Sequence, residues 1–294
     1  MLVTICTPTF NRAYTLPRLY NSLLDQSDKR FEWIIIDDGS TDDTKDLVRS
    51  WIEEKKLNIM YFRQENSGKH VALNKGMASA KGLLFTCLDS DDWLYENAIE
   101  KVNEKWLESA DNSVAGIIAL DSYENGEIIG SQLPCDLKQA NWIDLIYKFS
   151  MRGDKAYFFV TEVIKSYPFP ANLENKHMPP SYQYYLISND YDLLMLNEPL
   201  KYVEYLDDGI SKKRYEKYIV AADNFSEYRY EIHNLIPSLK RRIINLIHFN
   251  ATQLLGKKKF VFQSKRSNVL RILTKPAGIL LAVFIKVANK IKNN

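Results

Sequence analysis

The run Phe31–Thr44, "FEWIIIDDGSTDDT", decides the fold. Its first half is apolar but for Glu32 up to Ile36 and too short for most helices, and Asp38-Gly39-Ser40 then supplies turn chemistry. Beyond the turn, "TDDTKDLVRSWIEEK" opens on capping residues and continues with helical spacing. Strand, turn and helix in that order set a unit that the flanking sequence repeats. Upstream, "LVTICTPTF" is rich in β-branched residues, and "LPRLYNSLLDQ" places Leu16, Leu19, Leu23 and Leu24 at a helical period. Downstream come strand "LNIMYFRQE", helix "GKHVALNKGMASAKG" and strand "LLFTCLDSDD". Strands apolar throughout, alternating with helices, predict an α/β fold: a mostly parallel sheet covered on both faces. Ligands of such sheets bind beyond the carboxyl ends of the strands, so "TPTFN", "DDGS" and "DSDD" are expected to converge.

After Glu96 the regularity weakens. "NAIEKVNEKWLES" and "NWIDLIYKFS" read as helices, and "VAGIIALDSYENGEIIGSQL" reads as a hairpin around Glu124-Asn125-Gly126. A loop with Pro168, Pro170, Pro179 and Pro180 precedes "YQYYLIS", and from about residue 212 the pattern is mainly helical. There is no internal repeat and no low-complexity linker.

At 294 residues, 46% hydrophobic and 26% charged, the chain suits one large soluble α/β domain, with or without a smaller appendage. Cys6, Cys87 and Cys135 are odd in number and lack metal-ligand spacing; Cys6 and Cys87 sit in apolar strand-like runs, so buried free thiols in a reducing compartment are expected. "MLVTICTPTF" lacks the basic and apolar regions of a signal peptide. The net charge of +2 conceals a separation: Ile232 to Asn294 carries 13 Lys and Arg and no Asp or Glu. Residues 1 to 231 hold 26 basic against 37 acidic groups, a net of about −11. Such a tail points to an acidic partner, a membrane surface or nucleic acid.

Three carboxylates within "DSDD", Asp89, Asp91 and Asp92, repel one another unless a cation sits among them. Oxygen ligands suit a hard ion such as Mg²⁺ or Mn²⁺. The competing reading is that Asp91 or Asp92 caps the helix that follows. In "IIIDDGSTDDT", Ser40, Thr41 and Asp42 suit a helix cap, but Asp37 and Asp38 precede the turn. A carboxylate there can accept hydrogen bonds from a nucleoside's ring N–H or ribose hydroxyls. "SGKHVALNKG" sets Lys69, Asn74 and Lys75 at a helix start, which favours a diphosphate; a solvated basic helix face is the alternative. His70 reads as a packing or solvated histidine.

Taken in order, "TPTFNRAYTLPRLYNSLLDQ", "FEWIIIDDGSTDDT", "ENSGKHVALNKGMASAKG" and "LDSDDWL" resemble glycosyltransferase family 2, with the GT-A nucleotide-sugar fold. The resemblance is close over residues 2 to about 110 and looser to about 211. A nucleotidyltransferase would instead show a Gly-rich, arginine-bearing loop after the first strand. The resemblance implies a catalytic domain over 1–211, with 1–110 binding the nucleotide-sugar and 111–211 the acceptor, and a helical basic region over 212–294. It implies that Pro8, Thr9, Asn11 and Arg12 border the nucleoside, that Asp38 reads the uracil edge, and that Lys69 and Asn74 lie beside ribose or diphosphate. Asp89 and Asp91 form the D-x-D, with Asp91 first for the metal, Asp92 a second ligand, and Asp89 for ribose or metal. The implied activity is inverting, metal-dependent transfer from a UDP-sugar to a hydroxyl of a lipid-linked or surface-glycan acceptor, with Mn²⁺ or Mg²⁺ as cofactor.

Such a transferase needs a carboxylate to take the acceptor's proton. Relatives carry it after the "YPFP"-like stretch, before an aromatic-rich helix; here the matching position reads Pro180 or Ser181. Asp154 and Glu174 are the candidate bases, with Asp207 and Asp208 as further acids. The departure also admits a catalytically impaired binding or assembly component.

In the tail, "KPAGILLAVFIKVANKIKNN" has a nine-residue apolar run from Ala277 to Ile285, against the ~20 needed to span a bilayer. Pro276 suits a first helical turn. At 100° per residue, Arg271, Lys275, Lys286, Asn289 and Lys290 fall in one sector of about 100°. The reading is a helix in the membrane interface, on a cytoplasmic protein held peripherally at the inner face of the cell membrane. Packing on the catalytic domain is the alternative. Nucleic acid is disfavoured, because few aromatics stand among the basic groups.

Overall fold

The computed structural model describes residues 2–109, 111, 113–171, 176–206 and 214–292. The chain divides into two compact units, residues 1–168 with 187–204, and residues 169–186 with 205–294.

The first unit is built on one mixed sheet. Strands β1 (Val3–Thr9), β2 (Phe31–Asp37), β3 (Ile59–Arg63) and β4 (Leu84–Cys87) alternate with helices α1 (Leu16–Leu24), α2 (Thr44–Glu54) and α3 (Lys69–Ser79). There follow β5 (Trp93–Leu94), α4 (Ala98–Ser109), β6 (Val114–Ser122), β7 (Gln139–Ala140), α5 (Trp142–Tyr147), β8 (Lys155–Val160), α6 (Thr161–Lys165) and β9 (Asp192–Tyr202). The strand order is β3-β2-β1-β4-β8-β6-β9-β5, with β7 beside β9. The β1–β2, β1–β4, β2–β3 and β6–β9 pairs are parallel, whereas β8 runs antiparallel to both β4 and β6. This topology brings the carboxyl ends of six strands and the amino end of β8 to one edge.

Every residue of β1 and β2 is buried, as expected of strands covered on both faces. Two pairs of their polar side chains meet within the sheet. Thr4 Oγ1 donates to Glu32 Oε1 at 2.6 Å, and Trp33 Nε1 donates to Thr7 Oγ1 at 2.9 Å. On one face Tyr20 of α1 stacks on Trp51 of α2 at 4.3 Å, above Trp33. On the other, α3 closes onto β1 at Gly76, where a Cβ would stand 2.3 Å from Cys6 Sγ. Pro17 sits in the first turn of α1, where its missing N–H costs nothing.

The expected hairpin around Asn125 is reduced to a single bridge, Ser122 to Ile128, because β6 pairs instead with β8 and β9. Strand β5 separates Asp91 and Asp92 from α4, so neither carboxylate caps that helix. The three cysteines are free thiols; Cys6 is buried, Cys87 half-buried and Cys135 exposed.

The second unit is helical: α7 (Ser181–Ile187), α8 (Arg214–Val220), α9 (Ala222–Ile232), α10 (Leu239–Leu255) and α11 (Lys265–Lys292). Leu246, Phe249 and Phe262 form its centre, with Tyr230, Phe260 and Leu270 against them. The proline-rich excursion joins this unit through Asn224 Nδ2, which donates to the His177 carbonyl at 3.2 Å, and through a 3.0 Å hydroxyl pair, Ser181 and Tyr228. The tail helix differs from expectation. It begins at Lys265, so Pro276 lies inside it and not in its first turn. The Asn250 side chain supplies a donor in the turn before the proline, bonding the Arg271 carbonyl at 2.9 Å.

Candidate functional site

The loops after β1 and β2 are stitched together. Asn11 adopts a left-handed φ of 53°, which turns its side chain to accept from Thr41 N at 2.7 Å. Its own N–H donates to Ser40 Oγ at 2.9 Å, and Ala13 N donates to Asp42 Oδ2 at 3.0 Å. Asp42 also takes Thr44 N at 3.1 Å, just ahead of α2, whose N-cap position is Asp43. Asp37 is fully buried and accepts from Ser40 N at 2.7 Å and Tyr61 Oη at 2.5 Å. Asp38 is buried and accepts from Gln64 Nε2, Ser67 N and Gly68 N, each at 2.8 Å. Its carboxylate thus shapes the loop that launches α3. Beside it lies an open hollow lined by Gly39, Arg63, Gln64, Glu65 and Asn66. Arg63 is anchored there by its bond to the Ser40 carbonyl at 2.7 Å. Pro8 and Thr9 close β1 beside Ile36 and Asp37 of β2; the Thr9 hydroxyl is buried and carries no hydrogen bond.

Lys69, the first residue of α3, reaches across to the end of β4. Its Nζ lies 2.5 Å from Asp89 Oδ1 and 2.7 Å from Oδ2. Burial opposes ionisation of both groups, but each holds the other charged: Lys69 is raised and Asp89 lowered. Asp91 behaves differently. Burial and the neighbouring Asp89 charge raise its carboxyl, against the pull of Arg12 and Lys69. Arg12 therefore lies within electrostatic reach of Asp91, while its guanidinium donates to Tyr14 Oη at 2.8 Å. Asn74 is half-buried on the second turn of α3.

The backbone of the acidic turn is clamped by Arg18 of α1, which donates to the Asp91 carbonyl at 2.8 Å. It also stacks 3.7 Å above Trp93 and pairs with Glu204 at 2.5 Å. Asp92 points inward. It is 4% exposed and pairs at 3.3 Å with Lys201 of β9, which also pairs with buried Asp121 at 3.2 Å. Burial pushes Asp92 up to about 7 and Asp121 to about 6, although Lys201 opposes both. Lys201 and Arg18 support the acidic turn, yet each lies far along the chain from its partner, so only the folded pairing reveals the role.

Asp154 stands immediately before β8. Because β8 runs antiparallel to β4, with Leu84 opposite Val160, this exposed carboxylate lies at the same sheet edge as the acidic turn. It acts electrostatically on buried Asp121 and Lys155. Glu174, Asp207 and Asp208 lie outside the described residues. Ser181 opens α7 with its hydroxyl engaged by Tyr228, and Pro180 precedes it, so this position presents no carboxylate.

Do these residues fit a divalent cation? Among the described residues no three His, Cys, Asp or Glu side chains gather as a ready-made cage. Asp89 and Asp91 nonetheless share one turn, where burial first and the Asp89 charge second raise the Asp91 carboxyl. Two carboxylates suit Mg²⁺ or Mn²⁺, whose remaining ligands commonly come from substrate phosphates and water.

The sequence model of glycosyl transferase family 2 matches residues 4–165. A Bacillus subtilis glycosyltransferase named for teichuronic acid biosynthesis, TuaG, is 37% identical over 108 residues, 36% of this chain and 42% of that protein. Glycosyltransferase GlyA of Streptococcus pneumoniae is 30% identical over 123 residues, 42% of this chain and 18% of that protein. The matches thus span less than half of these relatives. Among solved structures, residues 1–349 of S. aureus TarS superpose with a TM-score of 0.62 at 17% identity, covering 99% of this chain and 92% of that one. The same TarS fragment has been solved with UDP-GlcNAc, at a TM-score of 0.58. A Pyrobaculum calidifontis mannosyltransferase, solved with GDP-Man and Mn²⁺, superposes with a TM-score of 0.58 at 15% identity, covering 96% of this chain and 86% of that one. At these identities the structures speak for the shared fold alone.

Proposed function

The chain belongs to glycosyl transferase family 2, and we propose that it transfers a sugar from a UDP-sugar to a hydroxyl of a lipid-linked or cell-surface glycan, with inversion. The observation that carries this reading is the meeting of Asp89 and Asp91 with Lys69 at the sheet edge, beside the Asp38 loop. The hollow by Gly39 and Arg63 takes the nucleoside, and the UDP bound to TarS favours uracil there. Thr9, with its unpaired hydroxyl, and Asn11 border it, and Asp38 reads the uracil edge from its loop. Lys69 and Asn74 stand by the diphosphate at the amino end of α3. Asp91 and Asp89 hold Mn²⁺ or Mg²⁺, with Asp92 behind them. Such an ion supplies Lewis-acid neutralisation of the charge on departing UDP.

In the transfer, the acceptor oxygen bonds to the anomeric carbon as the bond to UDP breaks, and the hydroxyl proton passes to a carboxylate. Asp154 fills that role in this reading: it is exposed and at the right edge. Lys69 stays protonated beside Asp89 and screens the diphosphate. The basic tail holds the protein against the inner face of the cell membrane, where lipid-linked acceptors are found.

Titration of UDP in the presence of Mn²⁺ tests the site: Asp91→Ala should abolish the metal-dependent part of binding, and unchanged binding would sink the assignment. A second reading, a non-catalytic assembly component, draws on Pro180 and Ser181 standing where relatives carry an acid. Metal-dependent hydrolysis of any UDP-sugar excludes it.

A further inference from the structure

The last helix of the second unit is amphipathic in the inverse sense. α11 lies on α10 largely through small or polar residues: Ser267, Thr274, Gly278 and Ala282 are buried, joined by Ile285 and, against the core of the unit, Leu270. At Gly278 a Cβ would stand 2.4 Å from Asn250 Cβ, and Asn250 Nδ2 bonds Thr274 Oγ1 at 3.1 Å. Most of its large apolar side chains lie opposite. Ile272, Leu273, Leu280, Val283, Phe284 and Val287 are exposed, Leu273 at 70% and Leu280 at 73%. At 100° per residue they fill an arc of about 120° centred opposite Gly278. Lys275, Lys286 and Lys290 lie at or within about 60° of one border of that arc, with Arg271 further round toward Gly278. A helix in water turns its large apolar residues inward; small residues against protein and large ones outward is the arrangement of a lipid-facing surface.

We propose that this face seats at the headgroup–acyl boundary of an anionic bilayer, with α11 lying in the membrane plane. The inference deepens the membrane-surface reading above and is independent of the donor and metal assignments. Charge complementarity selects the occupant. From Ile232 to Asn294 there are 13 Lys and Arg and no acid, so a second copy on this face would set cation against cation. By length and composition the stretch Lys265–Ile291 is long and apolar enough to cross a membrane, with a mean hydropathy of 1.6. But α10 flanks it, bearing Lys240, Arg241 and Arg242, and Lys275 and Lys286 fall inside the apolar stretch. Lying in the plane leaves these lysines at headgroup level, where their stems extend to the phosphates.

Flotation of the whole chain tests this, using vesicles of phosphatidylcholine alone and of phosphatidylcholine and phosphatidylglycerol in equal parts. The anionic vesicles should carry the protein, and salt should weaken the binding. Lys275→Gln/Lys286→Gln/Lys290→Gln should weaken it on the order of 100-fold, at roughly fivefold per lysine. Leu280→Glu/Phe284→Glu should weaken it about tenfold or more. Both variants change outward-facing positions, so circular dichroism and UDP titration should stay at wild-type values. Three outcomes overturn the inference. One is no binding to either vesicle. Another is a solution dimer that the Glu pair dissociates. The third is membrane attachment that resists high salt and alkaline carbonate and yields only to detergent. A chain that binds UDP but no vesicles loses this inference alone; one that binds vesicles but not UDP loses only the donor reading.

Discussion

Replacing Lys201 with methionine should destabilise the protein in a manner set by pH. Lys201 Nζ is 3.3 Å from Asp92 Oδ2 and 3.2 Å from Asp121 Oδ2, and both carboxyls are buried. Burial pushes them from the ordinary 3.8 up to about 7 and about 6, while the two anions hold Lys201 raised. A carboxyl whose folded value exceeds its unfolded one favours the folded state when protonated. That contribution is complete below about 4 and is lost as the pH rises through about 6 to 7. Above that window two buried carboxylates share one ammonium. Removing the ammonium there leaves both uncompensated, a loss of about 3–5 kcal/mol. At pH 5 both carboxyls are largely protonated, and the anion still acting on Lys201, Asp89, is already paired with Lys69. The loss should then fall below about 1 kcal/mol. Urea unfolding followed by tryptophan fluorescence, at pH 5 and pH 8 and fixed ionic strength, measures both values. Equal losses at the two pH values would refute the reasoning and assign the effect to packing of the lysine stem.

Asp154→Asn should lower the transfer rate by about 10²- to 10⁴-fold with UDP binding unchanged, whereas Glu174→Gln should stay within a few-fold of wild type; the reverse result moves the base to Glu174. Gly82→Ala, ahead of β4, should destabilise the first unit by about 1–3 kcal/mol, because the added Cβ would stand 2.5 Å from the backbone nitrogen of Thr4. Thermal unfolding measures it, and a neutral result would mean that β1 and β4 separate more easily than their pairing implies.

Much of the first unit was legible because its signals are local. The apolar runs of β1 to β4, the Asp-Gly turn and the leucine period of α1 all reappear as the expected elements. Parallel topology then brings the β1, β2 and β4 loops together as anticipated, since each helix returns the chain to the same edge. Regularity failed beyond residue 110, where strand partners are chosen at long range. The turn at Asn125 was real, but its second arm lost to β8 and β9 in the competition for β6. Pro276 suits a helix start by its sequence, but the tail helix begins at Lys265 and carries the proline inside it.

The acidic turn divides the same way. From its sequence alone one learns that three carboxylates crowd a strand end, that a cation is wanted, and that Lys69 begins a nearby helix. Charge spacing along a chain carries that information. The sequence also records the charge separation between residues 1–231 and the tail. What only the tertiary structure decided is how the three acids differ. Asp89 meets Lys69, Asp92 turns into the protein toward Lys201, and Asp91 is left with its carboxyl raised beside Asp89. It also decided which side of α11 faces protein. Burial and pairing depend on partners tens to over a hundred residues away, and those partners acquire a position only once the sheet and the helices have packed.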